Sequence, residues 1–364
     1  MKELEVIDRL RAAFPASGLG DDAAVLPAPE GELLFAADAS VEGVHFDRRF
    51  STLSQAVQKL VTSNVSDIFA MGGVPGSIVL TAGLSEGCTP LDVDDVIDGL
   101  RRSCAQYGVR LAGGDTVLSP GRFVFNVAIT GETRPGRAIP RSGAREGDAI
   151  VLFGPVGGSR AGLAVLSALV GAFPRGDIPA PRTAGLAEAS GRMRKALGAL
   201  SLSTSDAELE RTAAAFGALP RGVEMMRFAR QHLVPLARPL DPSLLSAEPP
   251  CVTAMIDVSD GLAKDLRTLC AESGVGALLR EEAIAVPGGL AETFGLERAA
   301  LADFAVASGE EYVLLATVAP EGMRLVDPRA AAIGSVVPAG EGIALVDADG
   351  RRRPLPALGY EHSF

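Results

Sequence analysis

The residues with the clearest capacity for chemistry are aspartates. In Ile256-Asp257-Val258-Ser259-Asp260-Gly261-Leu262, two carboxylates and a hydroxyl crowd one tight turn. Acids this close repel each other unless one is protonated or a cation sits between them. The cation is the better reading, because aspartates recur at element edges: Asp21-Asp22, Asp38, Asp67 and Asp115. Several carboxylates form an oxygen donor set, which suits a hard cation such as magnesium. Magnesium held by a few carboxylates and by substrate phosphates means phosphoryl transfer or nucleotide-dependent activation. Two other stretches add to this set. Gly113-Gly114-Asp115-Thr116 exposes backbone N–H groups beside a carboxylate and a hydroxyl, a combination that can cradle a phosphate and its metal. Ser308-Gly309-Glu310-Glu311-Tyr312 places two acids in a turn before a strand, and His45 stands beside an acid in a loop.

These residues need elements to hold them. Cys251 to Ile256 reads as a strand ending on Asp257, and Leu262, Leu266, Leu269 and Cys270 recur at helical spacing after the turn. Leu33 to Ala37 reads as a strand ending on Asp38, followed by a loop from Val41 to Phe46. Ser54 is expected to cap a helix reaching Met71, closed by Gly72-Gly73, with Val57, Leu60, Val61, Asn64, Val65 and Ile68 on its buried face and Asp67 at the edge of that face. Thr89-Pro90-Leu91-Asp92 is a capping box with proline at the first helical position, and Gly108 ends that helix. The strand Phe123 to Ile129 is apolar on both faces and predicts cover on both sides, one of them by a second subunit. Thr133 to Gly147, rich in Arg, Pro and Gly, marks a domain boundary; the domains are read as 1–138 and 139–364. The turn Gly154 to Ser159 reads as a packing turn entering a helix that runs to Phe173, and Pro174 to Pro250 as Ala-rich helical scaffold. The N-terminal helix is expected to bury Leu4, Ile7, Leu10 and Phe14.

Composition narrows the partners. The 364 residues suffice for two domains. A formal charge of -11 argues against nucleic acid or an anionic membrane as partner. Lysine occurs only at Lys2, Lys59, Lys195 and Lys264, so positive charge for phosphates must come from arginine or bound cations. The four cysteines lack CxxC spacing, and with three histidines they are too scattered for zinc. No transmembrane run or signal-peptide pattern is visible, and a reducing, cytoplasmic setting is expected. No GxxxxGK[ST], HRD, DFG or GxSxG occurs, so the P-loop, protein-kinase and α/β-hydrolase routes are unsupported.

Taken in order along almost the whole chain, the motifs resemble the thiamine-monophosphate kinase family. They are Gly20-Asp21-Asp22-Ala23-Ala24, Asp38 with Val41 to Phe46, Asn64 to Gly72, Gly113 to Thr116, Arg141-Ser142-Gly143-Ala144, Ile256 to Leu262, Gly309-Glu310-Glu311-Tyr312 and Gly359-Tyr360-Glu361-His362. The resemblance implies an α/β (α+β type), two-domain aminoimidazole-ribonucleotide synthetase-like architecture: an N-terminal sheet domain forming a homodimer interface and a C-terminal α/β domain. It implies transfer of the ATP γ-phosphate to thiamine monophosphate, with ATP as co-substrate and several Mg2+ ions. Asp22, Asp38, Asp67, Asp115, Asp257 and Asp260 would hold metal, with Asp67, Asp115 and Asp257 central to catalysis. Gly114, Asp115, Arg141 and Ser259 would meet ATP, and His45, Glu310 and Tyr360 would meet thiamine monophosphate.

Ala36, Ala37 and Ala39 stand where the family carries hydroxyl residues around its aspartate, Glu311 stands for its Asp, and Leu186 to Met226 looks longer than usual. Two rival readings are a sister enzyme of the superfamily and a homologue that binds nucleotide without turnover. The six aspartates argue against the second, and the absence of a reactive N-terminal Cys or a C-terminal Cys argues against a selenophosphate synthetase or a hydrogenase-maturation protein.

Overall fold

A computed structural model describes residues 2–15, 23–172, 178–181, 195–214 and 221–362. Asp21, Asp22, Phe173 and Phe364, all singled out by sequence, lie outside the described residues.

Two sheets organise the chain. The first joins β1 (Glu32–Val41), β2 (Val74–Ser85), β3 (Arg110–Ser119) and β4 (Val124–Thr133) in the order β1-β4-β2-β3, parallel only between β2 and β3. The second joins β5 (Ala149–Leu152), β6 (Val252–Asp257), β7 (Val275–Arg280), β8 (Leu314–Val318), β9 (Ala331–Pro338), β10 (Ile343–Val346) and β11 (Arg352–Pro354), in the order β11-β10-β7-β9-β5-β8-β6.

Between them runs helix α2 (Leu53–Ala70), which follows α1 (Glu3–Ala13) in the chain. Ile68, Val65 and Val61 pack in one apolar cluster with Ile78, Leu80, Phe125 and Val127 of the first sheet and with Met255, Leu314 and Ala316 of the second. A helix covered on two sides has little face left for water. Every residue of α2 is buried except Ser63 and Asp67. Its N-cap is Thr52, not Ser54: Thr52 accepts from Gln55 N–H while the Gln55 side chain returns to Thr52 N–H. Ser54 instead bonds Asp95 and Asp98 of α3 (Pro90–Tyr107), whose expected capping box at Thr89 and left-handed Gly108 are both present.

Several boundaries differ from the sequence expectation. β1 continues past Asp38 to Val41, because β4 offers an unbroken ladder through Val124. The Gly113-Gly114 pair lies within β3 rather than in a turn; a Cβ on Gly114 would stand 2.4 Å from the Leu80 carbonyl oxygen, so glycine is needed for close strand approach. α1 buries Val6 against Val93 and Ile97 and leaves Leu4 exposed. α4 (Gly158–Leu169) stops at Leu169, packs on α6 (Gly222–Leu233), and is separated from it in the chain by α5 (Asp206–Ala214). α7 (Leu262–Ser273) and α8 (Arg298–Val306) complete the longer helices. One face of the first sheet packs on α2, while the other leaves Leu33, Phe35 and Val79 exposed in the single chain.

Candidate active site

The only opening in α2 is the chemical face. Ser63 and Asp67 are four residues apart and share one side of the helix. Opposite them β6 ends on Asp257, which is buried and accepts a hydrogen bond from Ser66 Oγ at 2.7 Å. Asp38 projects from β1 on the face towards α2, near Ser63, whose hydroxyl donates to the Leu60 carbonyl at 2.8 Å. Asp260 follows in the turn after β6.

These carboxylates feel one another. Burial, then the charges of Asp257 and Asp38, push the Asp67 carboxyl up to about 8, with Arg141 opposing. Burial pushes Asp257 up to about 6; the Ser66 hydrogen bond and Arg141 pull it back and Asp38 adds to the rise. Asp38 is raised chiefly by burial, with a contribution from Asp260. Asp38, Asp67, Asp257, Asp260 and Arg141 are thus brought into one electrostatic group. Among the described residues no three acidic, histidine or cysteine side chains already form a closed metal cage. An open group of mutually repelling carboxylates fits magnesium, which keeps waters and substrate phosphates in its shell rather than an all-protein cage.

Asp115 stands apart. Pairing runs Asp38, Val127, Leu80, Gly114 across the sheet, three strand steps or about 14 Å. The neighbouring row holds Asp115 with Thr81 and Asn126, on the face turned away from α2. Within the single chain Asp115 is therefore not gathered with the other carboxylates.

A second end of the site is built by three loops. Glu310 (φ 56) and Tyr312 (φ 51) are two of the three described non-glycine residues with positive φ, a clustering of backbone strain that points to function. The loop is pinned by Glu310 N–H to the Ser259 carbonyl at 2.7 Å and Tyr312 N–H to Val258 at 3.0 Å. A Cβ on Gly309 would meet Ser259 O at 2.7 Å, so only glycine allows this approach. His45 Nδ1 accepts from Val41 N–H at 3.1 Å, which leaves the proton on Nε2; burial lowers its pKa. The tail is strapped to the aspartate turn: Tyr360 N–H donates to the Asp260 carbonyl at 2.8 Å, and Lys264 Nζ donates to Tyr360 O at 2.6 Å. The His362 ring lies 5.5 Å from His45 and edge-on to Tyr360 at 4.9 Å.

Sequence reasoning missed the supporting roles of three groups, although Glu311 was among the acids it named. Asp265 accepts from the backbone N–H groups of Ser259, Asp260 and Gly261 at 3.0 to 3.1 Å, so it shapes the turn that presents Asp257 and Asp260. Its position in the first turn of α7 was the available signal. Glu311 accepts from Gly157 N–H (2.8 Å), Ser159 N–H (3.0 Å), Ser308 Oγ and Gln231 Nε2, which occupies the start of α4 with the chain's own carboxylate. The Gly154 to Ser159 turn is thereby satisfied internally and has no need of a phosphate. Lys59, buried in α2, forms an ion pair with Glu310 at 2.6 Å.

Residues 20–133 match the AIR synthase related protein, N-terminal domain, family. The chain is similar to the thiamine-monophosphate kinase of Synechococcus elongatus, 30% identical over 324 residues that cover 88% of this chain and 82% of the relative. To that of Bacillus subtilis it is 34% identical over a shorter stretch of 150 residues, 41% of this chain and 46% of the relative. Among solved structures it resembles AaThiL complexed with AMPPCP and TMP, with a TM-score of 0.67 at 26% identity, covering 99% of this chain and 97% of that one.

Proposed function

The chain belongs to the thiamine-monophosphate kinase family, and from that premise we propose how its residues pass the γ-phosphate of ATP to thiamine monophosphate, giving thiamine diphosphate and ADP. The observation that carries the reading is the open carboxylate group of Asp38, Asp67 and Asp257, with Asp260 beside them; the raised proton affinities of the first three record an unmet demand for positive charge.

A phosphate oxygen of thiamine monophosphate, already ionised at neutral pH, is the nucleophile. It bonds to the γ-phosphorus while the bond to the β,γ-bridging oxygen breaks, and ADP leaves with that electron pair. No strong general base is required, so the task of the chain is alignment and charge. Magnesium, when bound, supplies the positive charge that offsets repulsion between two anionic substrates. Asp38, Asp67, Asp257 and Asp260 would hold it, with Asp22, and Asp115 serving the nucleotide end beside Gly114. Arg141, whose charge already reaches Asp67 and Asp257, and Ser259 would meet ATP. Ser66 and Asp265 orient Asp257 and its turn. His45, Glu310 and Tyr360 would receive the organic end of thiamine monophosphate, away from the carboxylates.

Domains 1–138 and 139–364 follow the two sheets. A homodimer is proposed through the exposed face of the first sheet, where Phe35 is 70% and Leu33 59% exposed; a second copy seated there also covers the face that carries Asp115. A cytoplasmic setting suits the four free thiols. None of the described helices is long and apolar enough to cross a membrane. The test is product analysis with ATP, magnesium and thiamine monophosphate. Equal amounts of thiamine diphosphate and ADP are expected, with no phosphorylated product from thiamine itself. ADP formed without thiamine diphosphate would overturn the reading.

A further inference from the structure

Lys59 belongs to none of the acid motifs, yet its placement is unusual. A buried ammonium is costly unless paired. Its side chain is 9% exposed, and its Nζ lies 2.6 Å from Glu310 Oε1. The other carboxylate oxygen is 3.5 Å from His232 Nδ1, beyond a good hydrogen bond. Burial and the Lys59 charge drive the His232 pKa well down, so this imidazole is neutral and Lys59 is the cation that balances Glu310.

Two observations set this pair apart from an ordinary structural ion pair. Lys59, Ser63 and Asp67 follow each other at four-residue intervals and share one face of α2. Asp67 serves the carboxylate end, and eight residues of helix, about 12 Å, separate it from Lys59. One rigid helix thus sets the distance between the phosphate chemistry and Glu310. Glu310 itself sits on a strained, pinned backbone with 31% of its side chain open, and its charge and that of Lys59 both reach His45.

We propose that Lys59 is a positioning residue that aims Glu310 at the organic end of thiamine monophosphate. With Oε1 tied to Lys59, Oε2 is presented in one direction as an acceptor for a substrate N–H. The carboxylate charge is already met, so the cationic thiazolium does not pull Glu310 out of place. The inference rests on the reading of Glu310 as a substrate contact, and the test separates the two.

Thiamine monophosphate and ATP binding are measured by calorimetry, with magnesium, for Lys59→Met, Lys59→Arg, Glu310→Gln and the Lys59→Met/Glu310→Gln pair, beside steady-state constants and melting curves. Lys59→Met is expected to weaken thiamine monophosphate about 10-fold, the factor carried by ~1.4 kcal/mol. KM should rise more than kcat falls, ATP binding should stay within about 2-fold, and Lys59→Arg should recover most of the loss. The double variant should be no weaker than the weaker single one, because both changes break one unit. Weakening in Glu310→Gln but not in Lys59→Met overturns the Lys59 role alone; no weakening in either overturns the Glu310 assignment as well. Tighter binding in Lys59→Met would mean that Lys59 competes with the substrate, and a parallel loss of both ligands with a lowered melting temperature would make it structural. Each contradicts the proposal. Should Lys59→Met fail to fold, Lys59→Gln carries the same comparison.

Discussion

Asp67→Asn should stabilise the metal-free protein while stopping the reaction. Burial and the charges of Asp257 and Asp38 raise the Asp67 carboxyl from 3.8 to about 8. A folded-state value above the unfolded one means that the folded chain binds more protons between about pH 4 and 8. Stability from this group is complete below that window and is lost as pH rises through it. At roughly 1.4 kcal/mol per unit the ceiling is about 6 kcal/mol. Asp67 is only partly buried, and screening by water cuts this to about 2 kcal/mol. Asparagine keeps the shape and removes the charge. Denaturant unfolding in excess chelator should therefore show the variant about 2 kcal/mol more stable than wild type at pH 8, with the difference vanishing near pH 4. Adding magnesium should stabilise wild type more than the variant, because ligand binding to the native state adds to its stability. Turnover should fall by ~10² or more, the loss expected for ~3 kcal/mol of transition-state stabilisation. A variant less stable than wild type at pH 8 in chelator would refute the repulsion argument, and near wild-type turnover would make Asp67 structural.

Three further outcomes are expected. Glu311→Ala strips the acceptor from two buried N–H groups at the start of α4 and should cost about 2 to 4 kcal/mol in unfolding experiments; an unchanged denaturation midpoint would contradict that role. Tyr360→Ala should weaken thiamine monophosphate by about 2- to 30-fold, the range of a ring covering a cation, with ATP affinity constant; an unchanged thiamine monophosphate constant beside a lowered melting temperature would show that Tyr360 only packs. Phe35→Glu, on the exposed sheet face, should shift sedimentation from dimer to monomer, and an unchanged dimer would place the interface elsewhere.

The aspartates, the capping box at Thr89 and the strand ending on Asp257 were legible because each is a local signal: charge, hydroxyl and apolar period lie within a few residues. The gathering of Asp38, Asp67 and Asp257 was legible only as a pattern of acids at element edges. Their convergence depends on α2 being clamped between two sheets, and no local window contains that. Asp115 shows the limit most clearly. Its Gly-Gly-Asp resembles a phosphate-cradling turn, yet tertiary strand pairing draws the glycines into β3 and sets the carboxylate on the far face. Thr52 rather than Ser54 caps α2 because Gln55 returns the hydrogen bond while Ser54 is claimed by α3. Lys59 was hidden by its ordinary helical setting, since its partner lies about 250 residues along the chain and pairs with it only through the tertiary fold.

The central claim is direct, metal-dependent phosphoryl transfer at the carboxylate group. Its most direct test is a single turnover with ATP radiolabelled in the γ-phosphate, in magnesium and in excess chelator, with protein and products resolved separately. The account predicts label passing straight into thiamine diphosphate in magnesium, none on the protein, and no transfer in chelator. Label on the protein before product, or equal transfer in chelator, would contradict it.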